Sequence, residues 1–376
     1  MNVVIMVSEG YPRTFSANNS KSELIACGLQ ELGCRVAICD SILGAKGYHS
    51  VIRGTSETGI DYCIIPRRGK YRAILYAIPQ VWWYLKKRRR KDDVNHLIMG
   101  LSRYPFFFVV WAMAMLLGYR RSVLYHEWHC SSYSFGFKYM EAYLRDNTFG
   151  YFVNTVFPIS HFLEKKCSHF HCKKMVLPIM GSYNREPAHC EERRYFTYCC
   201  GAPYLLRNTI ILDAFNKLYH DIKYRHIKLV LIISGNEQEQ EDARQLIAQY
   251  DMKMNVEVKS QISFDELFFY YDTSIGLLVP MNPDSTQDKA RFSQKIAEYI
   301  SSRRPIITSA VGEIPYYFEQ KKSAMIVPYS VEGYYNAMKD LIDDNHMADD
   351  IGMGGYQVGL TCFNYIDVSR KMLNYL

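Results

Sequence analysis

The stretch FSQKIAEYISSRRPIITSAVGEIP, Phe292 to Pro315, decides how this chain is read. Phe292, Ile296, Tyr299 and Ile300 share one face at helical spacing, and the run leads straight into the apolar PIITSA. A helix feeding a short, continuous apolar strand is the repeating unit of a parallel α/β sheet, whose strands are buried on both faces. One isolated acid, Glu298, sits on that helix one turn after Lys295, and Ser293 stands where a hydroxyl can cap the helix start. A helix N-terminus offers free amides and partial positive charge to a phosphate. A cation one turn in adds to that field, and a carboxylate one turn deeper can accept the hydroxyls of a ribose. The plainer reading is a surface pair at i,i+3, worth a few tenths of a kcal/mol.

The same pattern extends outward in both directions. NVVIMVS, RVAICD, YCIIP, HLIMG, SVLYHEW and FVNTVFPIS read as strands in the first half, with SKSELIACGLQELG as a helix between the first two. YFTYCCG, KLVLIISG, NVEVKSQ, TSIGLLVP, PIITSA and AMIVP repeat the series in the second half. LLRNTIILDAFNKLYH, DARQLIAQYD, SFDELFFYYD and SQKIAEYIS are the intervening helices. The chain has 376 residues, too many for one ordinary core. The expectation is α/β, two Rossmann-like doubly wound domains facing a central cleft. An N-terminal domain spans 1–176 and a polar linker 177–194. A C-terminal domain spans 195–355, and a helix in 356–376 packs back on the first domain. Ligands of such sheets sit beyond the carboxyl ends of the strands.

Familiar nucleotide motifs are missing. No GxxxxGK[ST] occurs, and IGMGGYQVG, near the end, has no strand before it as a dinucleotide site requires. The charge excess is modest, 45 Lys plus Arg against 38 Asp plus Glu, with mean hydropathy −0.18. Eleven scattered cysteines follow an opening, MNVVIMVSEG, that lacks a basic n-region, so free thiols in a cytoplasmic protein are expected. The cluster Cys167, His169, His171 and Cys172 lacks the paired spacing of a structural metal site and reads as a His- and Cys-rich turn.

Against this background the opening stretch resembles the retaining glycosyltransferases of family four, which have the GT-B fold. Ser293, Lys295, Glu298 and Tyr299 match the family's S-x-K-x-x-E-Y, followed by Pro305, a strand and Gly312. YCCGAPYLLRNTIILDAF resembles the start of that family's second domain, with Gly201 at the glycine and Arg207 at the basic position. LVLIISGN places Gly235 at the strand end that passes the nucleotide. The resemblance covers nearly all of 195–330. It implies that Arg207 and Lys295 bear on the donor diphosphate, and that Glu298, Ser293, Gly201, Gly235 and Phe292 form the nucleotide site. In the first half, His126 of SVLYHEWHC resembles the family's donor-sugar histidine, with His129 as second choice. Ser16, Asn18, Asn19 and Glu127 fall at acceptor-side positions.

Three positions depart from the pattern. Ala290 stands where many members have a first Glu, with Asp288 near but out of register; Ala202 replaces a common Arg, and Arg304 a small residue before Pro305. They motivate an alternative: a non-catalytic GT-B-like partner of another transferase. The resemblance implies retaining sugar transfer from a nucleotide sugar to a glycan hydroxyl in polysaccharide (capsule or exopolysaccharide) biosynthesis, with no cofactor and no metal.

KYRAILYAIPQVWWYLKKRRRK, residues 70–91, sets aromatics before six consecutive basic residues, Lys86 to Lys91. It reads as an interfacial helix for an anionic membrane, broken at Pro79, and suits a lipid-linked acceptor and a peripheral place on the inner face of the cell membrane. Its aromatics lie on an apolar face, which argues against nucleic acid. PFFFVVWAMAMLL, 105–117, is too short for the about 20 residues of a membrane span and reads as a core helix.

Overall fold

The computed structural model describes residues 1–7, 10–12, 17–45, 49–66, 72–101 and 104–376. The expectation for Ser16 lies outside them. The chain divides into two compact units: Met1–Met180 with Lys289–Gln294 and Phe363–Leu376, and Gly181–Asp288 with Lys295–Cys362.

The first unit is built on β1 (Asn2–Val7), β2 (Arg35–Ala45), β3 (Ile52–Thr55), β4 (Asp61–Pro66), β5 (Asn95–Gly100), β6 (Arg120–Tyr125), β7 (Thr155–Pro158) and β8 (Lys173–Lys174). Its helices are α1 (Ala17–Glu31), α2 (Arg72–Arg88), α3 (Tyr104–Leu116), α4 (Phe137–Thr148) and α5 (His161–Lys166). Strand order is β3-β4-β2-β1-β5-β6-β7-β8, parallel except for the β3–β4 hairpin. That hairpin was not anticipated, because IRGT carries no apolar run. β1 is buried along its whole length, as a central parallel strand requires. Right-handed crossovers fix the helix layers. The β1-to-β2 connection runs one way along the sheet and puts α1 on one face. The connections through α2 and α3 run the other way and put those helices, which pack on each other, on the opposite face.

Two expectations for this unit change. α2 runs through Pro79 without a break. Pro79 is exposed, so water can meet the carbonyl that its missing N–H leaves unbonded. The apolar face of α2 is also not free for a bilayer. Ala77, Val81, Tyr84 and Leu85 are buried in the core, and only Trp83 of the described large apolar side chains stands out. α3 is a core helix, with Phe106, Phe107, Val110 and Ala114 buried. No helix among the described residues is long and apolar enough to cross a membrane.

The second unit contains β9 (Tyr195–Gly201), β10 (Lys228–Ser234), β11 (Val256–Lys259), β12 (Gly276–Val279), β13 (Ile306–Thr308) and β14 (Met325–Ile326). Around them lie α6 (Ala202–Arg207), α7 (Ile210–His220), α8 (Glu237–Ile247), α9 (Phe264–Asp272), α10 (Thr286–Ala290), α11 (Gln294–Ser301), α12 (Ile314–Tyr317), α13 (Val331–Asp343) and α14 (Asn345–Val358). The order is β11-β10-β9-β12-β13-β14, all parallel. The single helix expected over 205–220 is two, broken at Asn208 and Thr209, whose polar side chains hydrogen-bond Tyr329 and Asp213. The glycines of IGMGG face another use than nucleotide binding. A Cβ on Gly352 would lie 2.3 Å from the Arg303 carbonyl oxygen, and one on Gly354 1.9 Å from that of Lys322. They let α14 close on those turns. Arg304 is held by Asp349 of α14 at 3.0 Å, and Asp349 also takes Arg193 at 2.6 Å.

α15 (Tyr365–Leu373) belongs to the first unit and packs against α1. Val368 and Met372 join Ile25, Leu29, Val3 and Ile38 in one apolar cluster.

Candidate functional site

In the second unit the chain builds β9, β10 and β11 outward to one side and then β12, β13 and β14 to the other. The switch point lies between β9 and β12, where open α/β sheets hold ligands. The two strands part early. Their paired residues end at Leu277 with Thr197, and the next amide facing β12, Cys199 N–H, donates to the Tyr299 hydroxyl at 2.9 Å. Tyr299 is wholly buried, edge-on to Tyr271 with ring centroids 4.7 Å apart. A side chain of α11 therefore completes the hydrogen bonding of β9 where β12 leaves it, and fixes α11 at the switch point.

α11 buries Ile296, Ala297, Tyr299 and Ile300 and turns Lys295 and Glu298 to the partly exposed side. Among the described residues no protein group forms a hydrogen bond or ion pair with either charged end. Burial pushes the Glu298 carboxyl up to about 7, against a smaller opposing pull from Lys295. Both charges lie close enough to act on the Cys199 thiol of β9. A desolvated carboxyl beside a cation, with no protein donor among the described residues, keeps acceptor capacity that the fold itself does not use.

The glycines line the carboxyl edge of the same sheet. Ser234 pairs with Gly201, so Gly201 and Gly235 stand side by side. Gly235 has φ +152°, and a Cβ there would meet the Glu239 carboxylate at 2.9 Å. That carboxylate accepts the Asn236 N–H, also at 2.9 Å, in the capping box that opens α8. Arg207 ends α6, exposed, with Nε donating to the Pro203 carbonyl at 3.0 Å. Ser293 precedes α11, which begins at Gln294. Phe292 is a correction: it is buried against Phe363, rings 5.6 Å apart, and so fills core instead of lining a surface. Ala290 is buried, with its carbonyl accepting from the Ser160 hydroxyl at 2.5 Å. Asp288 is a loop brace, accepting from Asn282 N–H at 2.9 Å and the Tyr204 hydroxyl at 3.2 Å.

In the first unit His126 follows β6, at the carboxyl edge of that sheet. Its Nδ1 lies 3.2 Å from Asn18 Oδ1. An amide oxygen only accepts, so Nδ1 carries the proton. Burial, then Lys21 and His129, hold the ring well below its ordinary pKa. The neutral ring leaves Nε2 as an acceptor, enclosed and without a protein partner among the described residues. His129 differs: Nδ1 is 2.8 Å from the buried Asp146 carboxylate, which also takes the Cys130 N–H, so this histidine pins the turn after β6. Glu127 is exposed and Asn19 buried.

Lys21 was missed by sequence reasoning. It is 2% exposed on α1, donates to the Leu177 carbonyl at 3.1 Å, and has no carboxylate partner among the described residues. Burial brings its ammonium down to about 7. Nothing in SKSELIACG distinguishes it from a surface lysine at a helix start. The Cys167 to Cys172 turn is packing: Cys167 is buried and His169 lies against Phe170, rings 4.0 Å apart. No group of three or more His, Cys, Asp or Glu is gathered to hold a metal among the described residues.

Two doubly wound parallel sheets in one chain, the second with a charged helix at its switch point, define the GT-B fold. Residues 209–358 match the family described as glycosyl transferases group 1. No curated protein matches the chain in sequence. Among solved structures, it is similar to sucrose-phosphate synthase from Thermosynechococcus elongatus at TM-score 0.76 and 15% identity, covering 99% of this chain and 97% of that one. A glycosyltransferase from Rickettsia africae gives TM-score 0.70 and 14% identity, covering 100% and 97%. Anabaena HepE in complex with UDP-glucose gives 0.74 and 10%, covering 100% and 98%.

Proposed function

We propose that the protein is a glycosyltransferase that moves a sugar from a nucleotide-sugar donor to a hydroxyl of a glycan acceptor, with retention at the anomeric carbon. The observation that carries this is Glu298. It is an unpartnered, desolvated carboxyl on the helix that Tyr299 anchors at the switch point of the second sheet. Ionised, it accepts two ribose hydroxyls. The diphosphate lies along Gly201 and Gly235, where backbone approaches closely, and is met by Lys295, Arg207 and the amides at the start of α11. His126 accepts a hydroxyl of the donor sugar at Nε2. HepE, similar in fold, is described in complex with UDP-glucose, which supports a nucleotide-sugar donor here.

The acceptor hydroxyl attacks the anomeric carbon on the face the diphosphate leaves. The carbon–oxygen bond to the phosphate breaks as the new glycosidic bond forms, and the acceptor proton passes to the departing phosphate oxygen. No side-chain nucleophile and no metal enters this reading. The acceptor is lipid-linked, in polysaccharide biosynthesis, and reached at an anionic membrane surface. Of the 86–91 block, all but Arg88, which pairs with Asp61 at 2.7 Å, are exposed. A second reading, a binding partner that turns nothing over, is favoured by the buried Ala290 in place of an acid.

The test is thermal shift with UDP-, GDP-, ADP- and dTDP-sugars, followed by nucleoside diphosphate release with a glycan acceptor. A ligand at about 100 times its Kd stabilises by roughly 2.7 kcal/mol. One nucleotide class should shift the wild type and leave Glu298→Ala unmoved. A shift without turnover selects the binding partner, and equal shifts in both proteins refute the ribose site.

A further inference from the structure

Cys39 of β2 and Cys63 of β4 stand directly opposite each other in the sheet of the first unit. Directly paired residues turn their side chains to the same face, and neighbouring strands lie about 4.8 Å apart. That spacing falls within the roughly 4.4–6.8 Å between Cα atoms that a disulfide spans. Both residues are free thiols and both are buried. The Cys39 thiol donates a hydrogen bond to the Cys63 sulfur, so the two sulfurs already touch.

The row continues outward to a cation. Arg53 of β3 is paired with Cys63 and hydrogen-bonds its sulfur. From α2, which packs on β2 and β4, Tyr84 lies close to both thiols and Arg88 close to Cys63. The contact from Cys39 first, and then Arg53 and Arg88, hold the Cys63 thiol below its ordinary range against the opposing effect of burial. Burial instead raises the thiols of Cys27, Cys34, Cys130 and Cys167, among others. A thiolate is the attacking form of cysteine, and nearby guanidiniums favour it. Only the four-residue edge strand β3, with Arg53 exposed, lies between Cys63 and the rim of the sheet. An edge hairpin opens more readily than the centre of a sheet and so admits a molecule as small as hydrogen peroxide.

We propose that Cys39 and Cys63 are a peroxide-oxidisable pair, with Cys63 the attacking thiol, Arg53 its activating cation and Cys39 the resolving thiol. The Cys63 thiolate attacks one peroxide oxygen and the O–O bond breaks. The departing hydroxide takes up the proton that Cys63 released and leaves as water, and Cys63 becomes a sulfenic acid. The Cys39 sulfur then attacks the Cys63 sulfur, and the displaced hydroxide takes the Cys39 proton. Two thiols are oxidised to one disulfide, and one peroxide is reduced to two waters. The product ties β2 to β4 covalently, and it forms without any part of the proposed sugar transfer.

The experiment treats the reduced full chain with a small excess of hydrogen peroxide, unfolds it, caps the remaining thiols with N-ethylmaleimide and maps the peptides by mass. One disulfide, Cys39 to Cys63, should form while the other cysteines are still capped, and dithiothreitol should reverse it. Arg53→Gln, at an exposed position, should keep the wild-type melting temperature and slow the reaction on the order of tenfold, as for a thiolate fraction lowered by about one pKa unit. Cys39→Ser should stop at a Cys63 sulfenic acid that dimedone traps, and Cys63→Ser should leave Cys39 reduced. If either serine variant fails to fold, the wild-type map and the Arg53→Gln rate decide. Three results each overturn the proposal: Cys39 and Cys63 still capped at a dose that oxidises other thiols, a disulfide to a different partner, or an Arg53→Gln rate equal to wild type.

Discussion

Replacing Glu298 by Gln should make the protein more stable and less able to bind its donor. The carboxyl is raised from 4.5 to about 7 by burial. Below pH 4.5 it is protonated in folded and unfolded chains alike and costs nothing. Between 4.5 and 7 the unfolded chain loses the proton and the folded one keeps it, so stability falls by about 1.4 kcal/mol per pH unit. Above 7 the loss levels off at about 3 kcal/mol, a ceiling because the residue keeps some exposure. Gln has the same shape and no charge. Its melting transition should match wild type near pH 4.5 and exceed it at pH 8, by roughly 2–4 °C per kcal/mol recovered. Donor binding should move oppositely. The ionised fraction of the free carboxyl rises about tenfold from pH 6 to 8, and wild-type affinity should rise with it, while Glu298→Gln binds weakly and without that dependence. Melting curves and calorimetric titration across this range are the assays. A Gln variant no more stable than wild type at pH 8, or donor affinity flat in pH, would refute the reasoning.

Other outcomes follow from the same geometry. Tyr299→Phe removes the acceptor of the Cys199 amide and should cost about 1–3 kcal/mol in denaturation, with weakened donor binding because α11 loses its anchor. Lys295→Ala and Arg207→Ala should each lower kcat by about 10²–10³ in a sugar-transfer assay while leaving the melting temperature near wild type. Lys21→Met should stabilise the fold. Burial depresses the Lys21 pKa from 10.5 to about 7, so the destabilisation is full below 7 and fades toward 10.5, and the gain read by thermal melting should be largest at low pH.

The parallel sheets were legible because continuous apolar runs such as NVVIMV and KLVLIIS have no other stable use in a chain of this length. Lys295 and Glu298 were legible because a three-residue spacing is a local property of a helix. What stayed hidden depends on partners distant in sequence. Lys21 becomes notable only when Leu177, 156 residues away, closes over it. The hydroxyl of Tyr299 matters only because β9 and β12 diverge, which no pattern within either strand encodes. Pro79 misled in the other direction, since a proline on an exposed helix face is tolerated. Phe292 was assigned a ligand by motif position alone, whereas its burial is set by Phe363.

The helix α15 has a consequence for synthesis. The first unit's apolar cluster includes Val368, Met372 and Leu376, yet the whole span 181–362, about 180 residues, is translated between Met180 and Phe363. At about 5–20 residues per second, the face of α1 that α15 covers stays bare for roughly 10–35 s on the ribosome. The nascent first unit therefore waits, with part of its core open, for a helix that emerges after the entire second unit.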